Sequence, residues 1–341
     1  MRLKTFLSVL GDIRHQTLTP QVGKIFEAHG ADLFFQGGWG NQKTLSHLKS
    51  RESYLDMPKN IKIRWSGIRQ CQSHTEQYGY FDSPFPKKFL PVESQIARFL
   101  FIKPLAHQMN DPVCVVFAMT GDEGFSFRKK NLSLPLIKKN IATIVVESPF
   151  YGSRKPPYQK SYLIHTVQDI LTMCMAQVEE GRSLLNFLRQ QGYMNLGVAG
   201  VSQGGMLAMI VGATNPFEVT IATSLGPHSP EVIFTEGLLR NFVHWKSLGL
   251  NGAGDAVEIF SDLFQMGSIY KLPFPHKKSF AIIQGAKRDL VVPRHSVQKV
   301  MDHWSFAKRH WLQGTHMSSL AFHQKEFQKL IYLSFKKSKQ S

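Results

Sequence analysis

From about residue 76 onward the chain is a series of short β-rich runs separated by helical patterns. The runs lie at Ile96–Ile102, Val113–Met119, Ile141–Glu147, Leu196–Val201, Val219–Ser224, Phe280–Gln284 and Ala307–Leu312. Several are continuously apolar instead of alternating, the pattern of strands buried on both faces of a parallel sheet. Between them the apolar period lengthens to three or four. Tyr162–Leu188 places Leu163, Val167, Ile170, Leu171, Cys174, Val178, Leu184, Leu185 and Leu188 along one side, which predicts a long helix weakened or bent at Gly181. Shorter helices are predicted over Gly205–Ala213, stopped by Asn215-Pro216, and over Ser296–Trp304 and Ser318–Phe335. Strands alternating with helices imply βαβ units: an α/β fold with a mostly parallel sheet wrapped by helices.

Two stretches stand outside this alternation. Residues 226–276 are too long for a βα loop and carry apolar clusters of their own, predicting a helical cap or lid inserted into the main domain of residues 76–341. Residues 1–75 are less regular and are expected to form an N-terminal extension packed on that domain, with a tight turn at Phe34-Phe35-Gln36-Gly37-Gly38-Trp39-Gly40. Residues 190–217 contain no charge, long enough to raise the question of a membrane span. Gly200-Val201-Ser202-Gln203-Gly204-Gly205 at their centre is too polar and glycine-rich for a spanning helix, so no span is expected. A strand, a sharp turn and a buried helix explain the same letters.

A chain of 341 residues buries roughly three quarters of its unfolded surface and needs neither disulfides nor a structural metal to hold a core. Cys71, Cys114 and Cys174 are odd in number and widely spaced, fitting no disulfide framework and no zinc ligand set, and an intracellular, reducing compartment is expected. The start, Met1 to Leu10, is basic and then apolar; Asp12 and Arg14 interrupt it early, predicting a helix start and leaving organelle targeting open. Charge changes the picture more. Forty-one Lys and Arg against 24 Asp and Glu give a net +17, a surface that attracts polyanions. The basic residues come in pairs and triplets, such as Arg128-Lys129-Lys130, with no long block, so a nucleic-acid-binding tail is not expected. Peripheral contact with an anionic membrane surface fits the same charge.

Gly200-Val201-Ser202-Gln203-Gly204 matches G-x-S-x-G, the turn that lifts a serine hydroxyl above a sheet. Composition alone would produce that pattern in roughly one chain of this length in ten. Its setting, between the strand Leu196–Val201 and a helix, is what the chemistry needs. A serine nucleophile requires a base, and the base an orienting acid. Asp289 follows the strand Phe280–Gln284, and His316 follows a glycine on the loop after the last strand. The chain order Ser202, Asp289, His316 is that of the nucleophile-elbow hydrolases. Two backbone N–H donors should stabilise the oxyanion: Gln203, which follows the nucleophile, and Asp122, aimed inward by the turn that Gly121 permits. Arg154 and Lys155, beyond a strand end, are candidates for a substrate phosphate or carboxylate, with ordinary solvation the equal alternative. There is no P-loop, no H-E-x-x-H and no dinucleotide fingerprint.

These segments resemble an α/β-hydrolase, and more narrowly the α/β-hydrolase-domain-containing protein eighteen family. The resemblance rests on Leu33–Gly40, Pro91-Val92-Glu93-Ser94-Gln95-Ile96-Ala97-Arg98-Phe99, Thr120-Gly121-Asp122, Pro149-Phe150-Tyr151-Gly152-Ser153-Arg154-Lys155-Pro156 and Gly200–Gly205, and runs from about residue 33 to the C-terminus. It implies an α/β-hydrolase fold, Ser202, Asp289 and His316 as triad, and no cofactor. The family pattern leads one to expect Met after the serine where this chain has Gln203, a departure without consequence for a backbone donor. The expected activity is a serine hydrolase that cleaves an ester or thioester of a hydrophobic acyl group, lipase-like, with an anionic phospholipid among the candidate substrates. The rival reading is a catalytically silent α/β-hydrolase used as a binding scaffold.

Overall fold

A computed structural model describes residues 32–50 and 56–338. The expected reading of Met1 to Leu10 lies outside the described residues. Among the described residues ten strands form one sheet: β1 Arg64–Trp65, β2 Arg69–Gln70, β3 His74–Asp82, β4 Ile96–Pro104, β5 Val113–Val116, β6 Ala142–Val146, β7 Leu196–Val201, β8 Thr220–Ser224, β9 Phe280–Ala286 and β10 Lys308–Leu312. Their order is β1-β3-β4-β6-β5-β7-β8-β9-β10, with β2 also on β3. From β6 to β10 every neighbouring pair is parallel, while β1, β2, β3 and β4 pair antiparallel. The chain thus folds as the expected α/β architecture, a mostly parallel sheet flanked by helices.

The central strands are apolar throughout because both faces are covered. β5, β6 and β8 are buried at every position. The helix Val167–Gln190 covers one face. It opens with a capping box in which the Thr166 hydroxyl accepts from Asp169 N and the Asp169 carboxylate accepts from Thr166 N. It runs unbroken through Gly181, where a bend was expected. The glycine instead serves contact, since a Cβ there would sit 2.5 Å from Phe117 Cζ in the core. On the other face Phe327, Ile331 and Phe335 of the C-terminal helix Gln324–Ser338 pack on Cys114, Val116 and Ala222.

Three strands had no counterpart in the apolar pattern. β1 and β2 are two residues each and exposed, and β3 alternates buried with half-exposed positions under the sequence His74-Thr75-Glu76-Gln77-Tyr78-Gly79-Tyr80-Phe81-Asp82. The segment Gly226 to His276 is built of short helical pieces, including Val232–Thr235, Leu238–Phe242 and Ala253–Phe264. It lies against the Phe34–Gly40 turn. Phe34 N donates to Phe242 O at 2.8 Å, His244 N to Phe34 O at 2.9 Å, and Trp39 Nε1 to Leu248 O at 3.0 Å. Rings of Phe35, Trp39 and Phe234 pack edge-on or tilted around the buried Phe260, a geometry favoured by the ring quadrupoles. Among the described residues no helix is long and apolar enough to cross a membrane.

Candidate active site

Ser202 follows β7 with φ 56° and ψ −122°, a left-handed backbone that a non-glycine residue adopts at a cost of roughly 1–3 kcal/mol. Two glycines make the turn feasible. A Cβ on Gly200 would lie 2.2 Å from Gly204 C, and one on Gly204 would lie 2.7 Å from Phe117 O, so both backbones approach where no side chain fits. Ser202 N donates to Ser224 O at 2.8 Å and its carbonyl accepts from Met206 N at 3.0 Å, which pins the turn to β8 and to the helix Gln203–Ala213. As first residue of that helix, Gln203 has no carbonyl a turn earlier to bond, so its N–H is free to face an anion. The Gln203 side chain is buried and held by Thr120, whose hydroxyl donates to Gln203 Oε1 at 3.0 Å.

Asp289 and His316 are brought together across the ends of β9 and β10. The loops that carry them are laced by Lys287 N to Leu312 O at 2.9 Å and Arg288 N to Gly314 O at 3.0 Å. Thr315 caps the helix His316–Phe322 and sets the histidine on its first turn. Asp289 Oδ2 lies 2.8 Å from His316 Nδ1, while Oδ1 accepts from Val291 N at 2.9 Å and Val292 N at 3.0 Å. Both carboxylate oxygens are therefore committed and both residues are buried. With the proton on Nδ1, Nε2 carries the lone pair. Ser202 stands at the same end of the sheet, since β7 to β10 all run parallel, but it is not hydrogen-bonded to His316. Such bonds often close only with substrate present.

Beside Ser202 lies a cavity with walls from Phe34, Ile170, Met206, Ile233, Phe234 and Phe264. It adjoins a second cavity; the two share Cys174, Met206, Pro230 and Phe264, and Leu171, Val178 and Ile210 line the far part. Burial pushes the Cys174 thiol up to about 12, so it is a neutral wall residue at physiological pH and not a nucleophile.

Three expected site residues have other duties. The Asp122 N–H donates to Met119 O at 3.1 Å and closes a turn, so it is not offered to an oxyanion. The Asp122 side chain is buried against Arg128 Nε at 2.6 Å, and Arg128 also reaches the carbonyls of Val116, Val146 and Gly124. Gly121 does have the left-handed φ of 78° that the turn requires. Arg154, expected at the substrate rim, is 0% exposed. Its two terminal nitrogens bond Glu180 at 2.6 and 2.9 Å and also the carbonyls of Glu147 and Ser94. A guanidinium so paired cannot leave for a substrate without stranding Glu180. Lys155 pairs with Glu123 at 2.9 Å.

Among the described residues, one cluster offers metal-ligand atoms: Cys71, His74 and Glu76 on the β2–β3 hairpin. The Lys129 ammonium already sits 2.6 Å from Glu76 Oε1. His74 pairs with Pro104, the end of β4 remote from the strand ends that carry Ser202, so the cluster is separate from the site.

The profile of a sequence family described as α/β hydrolase domain containing 18 matches residues 32–257 and 251–337. Among solved structures, the acetyl xylan esterase from Paenibacillus sp. R4 superposes with a TM-score of 0.59 at 12% identity, over 85% of this chain and 94% of that one. A putative hydrolase from Agrobacterium vitis S4 gives 0.51 at 11% identity, over 81% and 100%. At such identity the likeness is one of fold.

Proposed function

Since the chain belongs to the α/β hydrolase domain containing 18 family, we propose that it is a serine esterase acting on a hydrophobic acyl ester or thioester. Ser202 Oγ attacks the acyl carbonyl while His316 Nε2 takes its proton. Asp289, bonded at Nδ1, holds the ring and stabilises the imidazolium. The Gln203 N–H receives the negative charge that develops on the carbonyl oxygen. Collapse expels the leaving oxygen or sulfur, which takes the proton back from His316. Water then repeats the sequence on the acyl-enzyme.

The observation that carries this reading is the strained Ser202 turn at the floor of an apolar cavity. The walls of Phe, Ile and Met suit an acyl chain, which gains about 25 cal/mol for each Å² it buries. The net charge of +17 supports an anionic lipid surface as the place where such esters are met.

The test is labelling of purified protein by a fluorophosphonate probe, with Ser202→Ala and His316→Ala as controls. The expected outcome is labelling of the wild type alone. A folded wild type left unlabelled, including with lipid vesicles present, would sink the enzyme reading and leave a binding scaffold. Hydrolysis of vesicle lipid should rise with anionic content and fall with salt; equal rates on neutral vesicles at low and high salt would remove the charge part.

A further inference from the structure

An oxyanion in a serine hydrolase needs two donors, and the amide expected to be the second is spent on Met119 O. Among the described residues that line the cavity beside Ser202, Tyr151 offers a candidate. Tyr151 lines it together with Thr120, Ser202 and Gln203, and its side chain is 1% exposed. The Tyr151 hydroxyl has no hydrogen-bond partner among the described residues. The Gly121 amide faces the phenol oxygen outside good hydrogen-bond geometry, and no acceptor takes the phenol proton. A buried hydroxyl left in this state costs roughly 1–3 kcal/mol, a penalty that a ligand oxygen in the cavity would relieve.

The backbone that delivers this ring is itself strained. Phe150 has φ 64°, a left-handed conformation that a bulky residue keeps only when its surroundings impose it. Here they do. Phe150 N donates to Ser94 Oγ at 3.1 Å, Phe150 O accepts from Gln159 Nε2 at 2.9 Å, and Ser94 Oγ donates to Arg154 O at 2.7 Å. Arg154 N in turn donates to Tyr151 O at 2.9 Å. The buried Arg154–Glu180 pair, idle as a substrate contact, thus anchors the turn that presents Tyr151.

We propose that the Tyr151 hydroxyl is the second oxyanion donor, a catalytic residue acting with the Gln203 N–H; the assignment rests on Ser202 being the nucleophile. As the Ser202 Oγ–C bond forms and the carbonyl π pair moves to oxygen, that oxygen accepts from both donors. The phenol keeps its own proton throughout, since the serine proton goes to His316 and from there to the leaving group. Burial raises the phenol's pKa further above its usual value, so the hydroxyl keeps its proton and stays a donor at neutral pH.

The experiment compares Tyr151→Phe with the wild type in p-nitrophenyl butyrate hydrolysis, fluorophosphonate labelling rate and melting temperature. The substitution removes one oxygen and keeps the ring in place. The expected result is a kcat lower by about 10²-fold with KM nearly unchanged. Labelling should slow by a similar factor, because the phosphonyl oxygen uses the same donors, and the melting temperature should stay level or rise. Unchanged kcat and labelling would overturn the assignment, as would a raised KM at constant kcat, which marks ground-state binding. A clear fall in melting temperature accompanying the loss would overturn it too, by marking a structural hydroxyl. If the wild type itself is neither labelled nor active, the reading of Ser202 fails first and this assignment falls with it, a result distinct from a labelled wild type matched by its Tyr151→Phe variant.

Discussion

Asp289 shows how much chemistry one carboxylate can fix. Its Oδ1 is claimed by two backbone amides and its Oδ2 by His316 Nδ1, so the side chain has a single orientation. Asp289→Asn would keep the amide contacts through Oδ1 and turn an N–H toward Nδ1. The histidine would then carry its proton on Nε2, facing the serine with a donor where a base is needed. We expect kcat to fall by about 10³–10⁴-fold with the melting temperature little changed; steady-state kinetics alongside a thermal melt checks both. Asp289 and His316 were legible in the sequence because strand order and loop position decide them. The oxyanion amide was not, since the letters Thr120-Gly121-Asp122 show that a turn is there but not which way its N–H points. Arg154 was misread because a charge beside a strand end looks solvent-bound until Glu180, on a helix far along the chain, is seen to meet it. Tyr151 lies in Pro149–Pro156, one of the segments that carry the family resemblance, and its hydroxyl acquires meaning only from what surrounds it.

At the scale of elements, the parallel strands were readable because burial on both faces leaves only apolar residues there, as in β5 and β7. β3 was not, for the opposite reason: it lies toward one edge of the sheet, half-exposed, and carries His74, Glu76, Gln77 and Asp82. Gly181 divides propensity from packing. In isolation an alanine there would favour the helix by about 0.8–1 kcal/mol. In place, its Cβ would meet Phe117 Cζ at 2.5 Å and Val211 Cγ2 at 3.2 Å, and Phe117 is buried in the core with nowhere to move. Overpacking of this kind costs about 1–3 kcal/mol, so packing wins. Gly181→Ala should lower stability in chemical denaturation without altering the denaturant slope; a stabilised variant would show that the helix can shift away from the sheet.

For the whole molecule the question is how it responds to acid, given a surface already strongly positive. His228, at the start of the segment Gly226 to His276, is buried and tied to Ser296: His228 N donates to Ser296 Oγ at 2.9 Å and the ring Nδ1 lies 2.8 Å from the same oxygen. Desolvation, helped by the positive charges of Lys299 and His295, lowers its pKa from 6.5 to about 4. A histidine depressed in the fold binds its proton more readily when unfolded, so its effect appears as pH falls through 6.5 and is complete once pH passes below 4. Each pKa unit corresponds to about 1.4 kcal/mol, giving about 3 kcal/mol of stability lost over that window. Other buried groups shift the opposite way, Glu231 among them, whose pKa desolvation raises. The absolute curve therefore mixes several titrations, and the informative quantity is the difference from a variant that keeps the polar contact and loses the proton. His228→Asn places an amide nitrogen near the position of Nδ1. Thermal melts at intervals from pH 8 to pH 4 should show the wild type losing about 4 °C more than the variant, with the two curves running parallel above pH 7. Parallel curves across the whole range would mean that folding leaves the proton affinity of His228 unchanged, and hence that water reaches the ring where the structure has it buried.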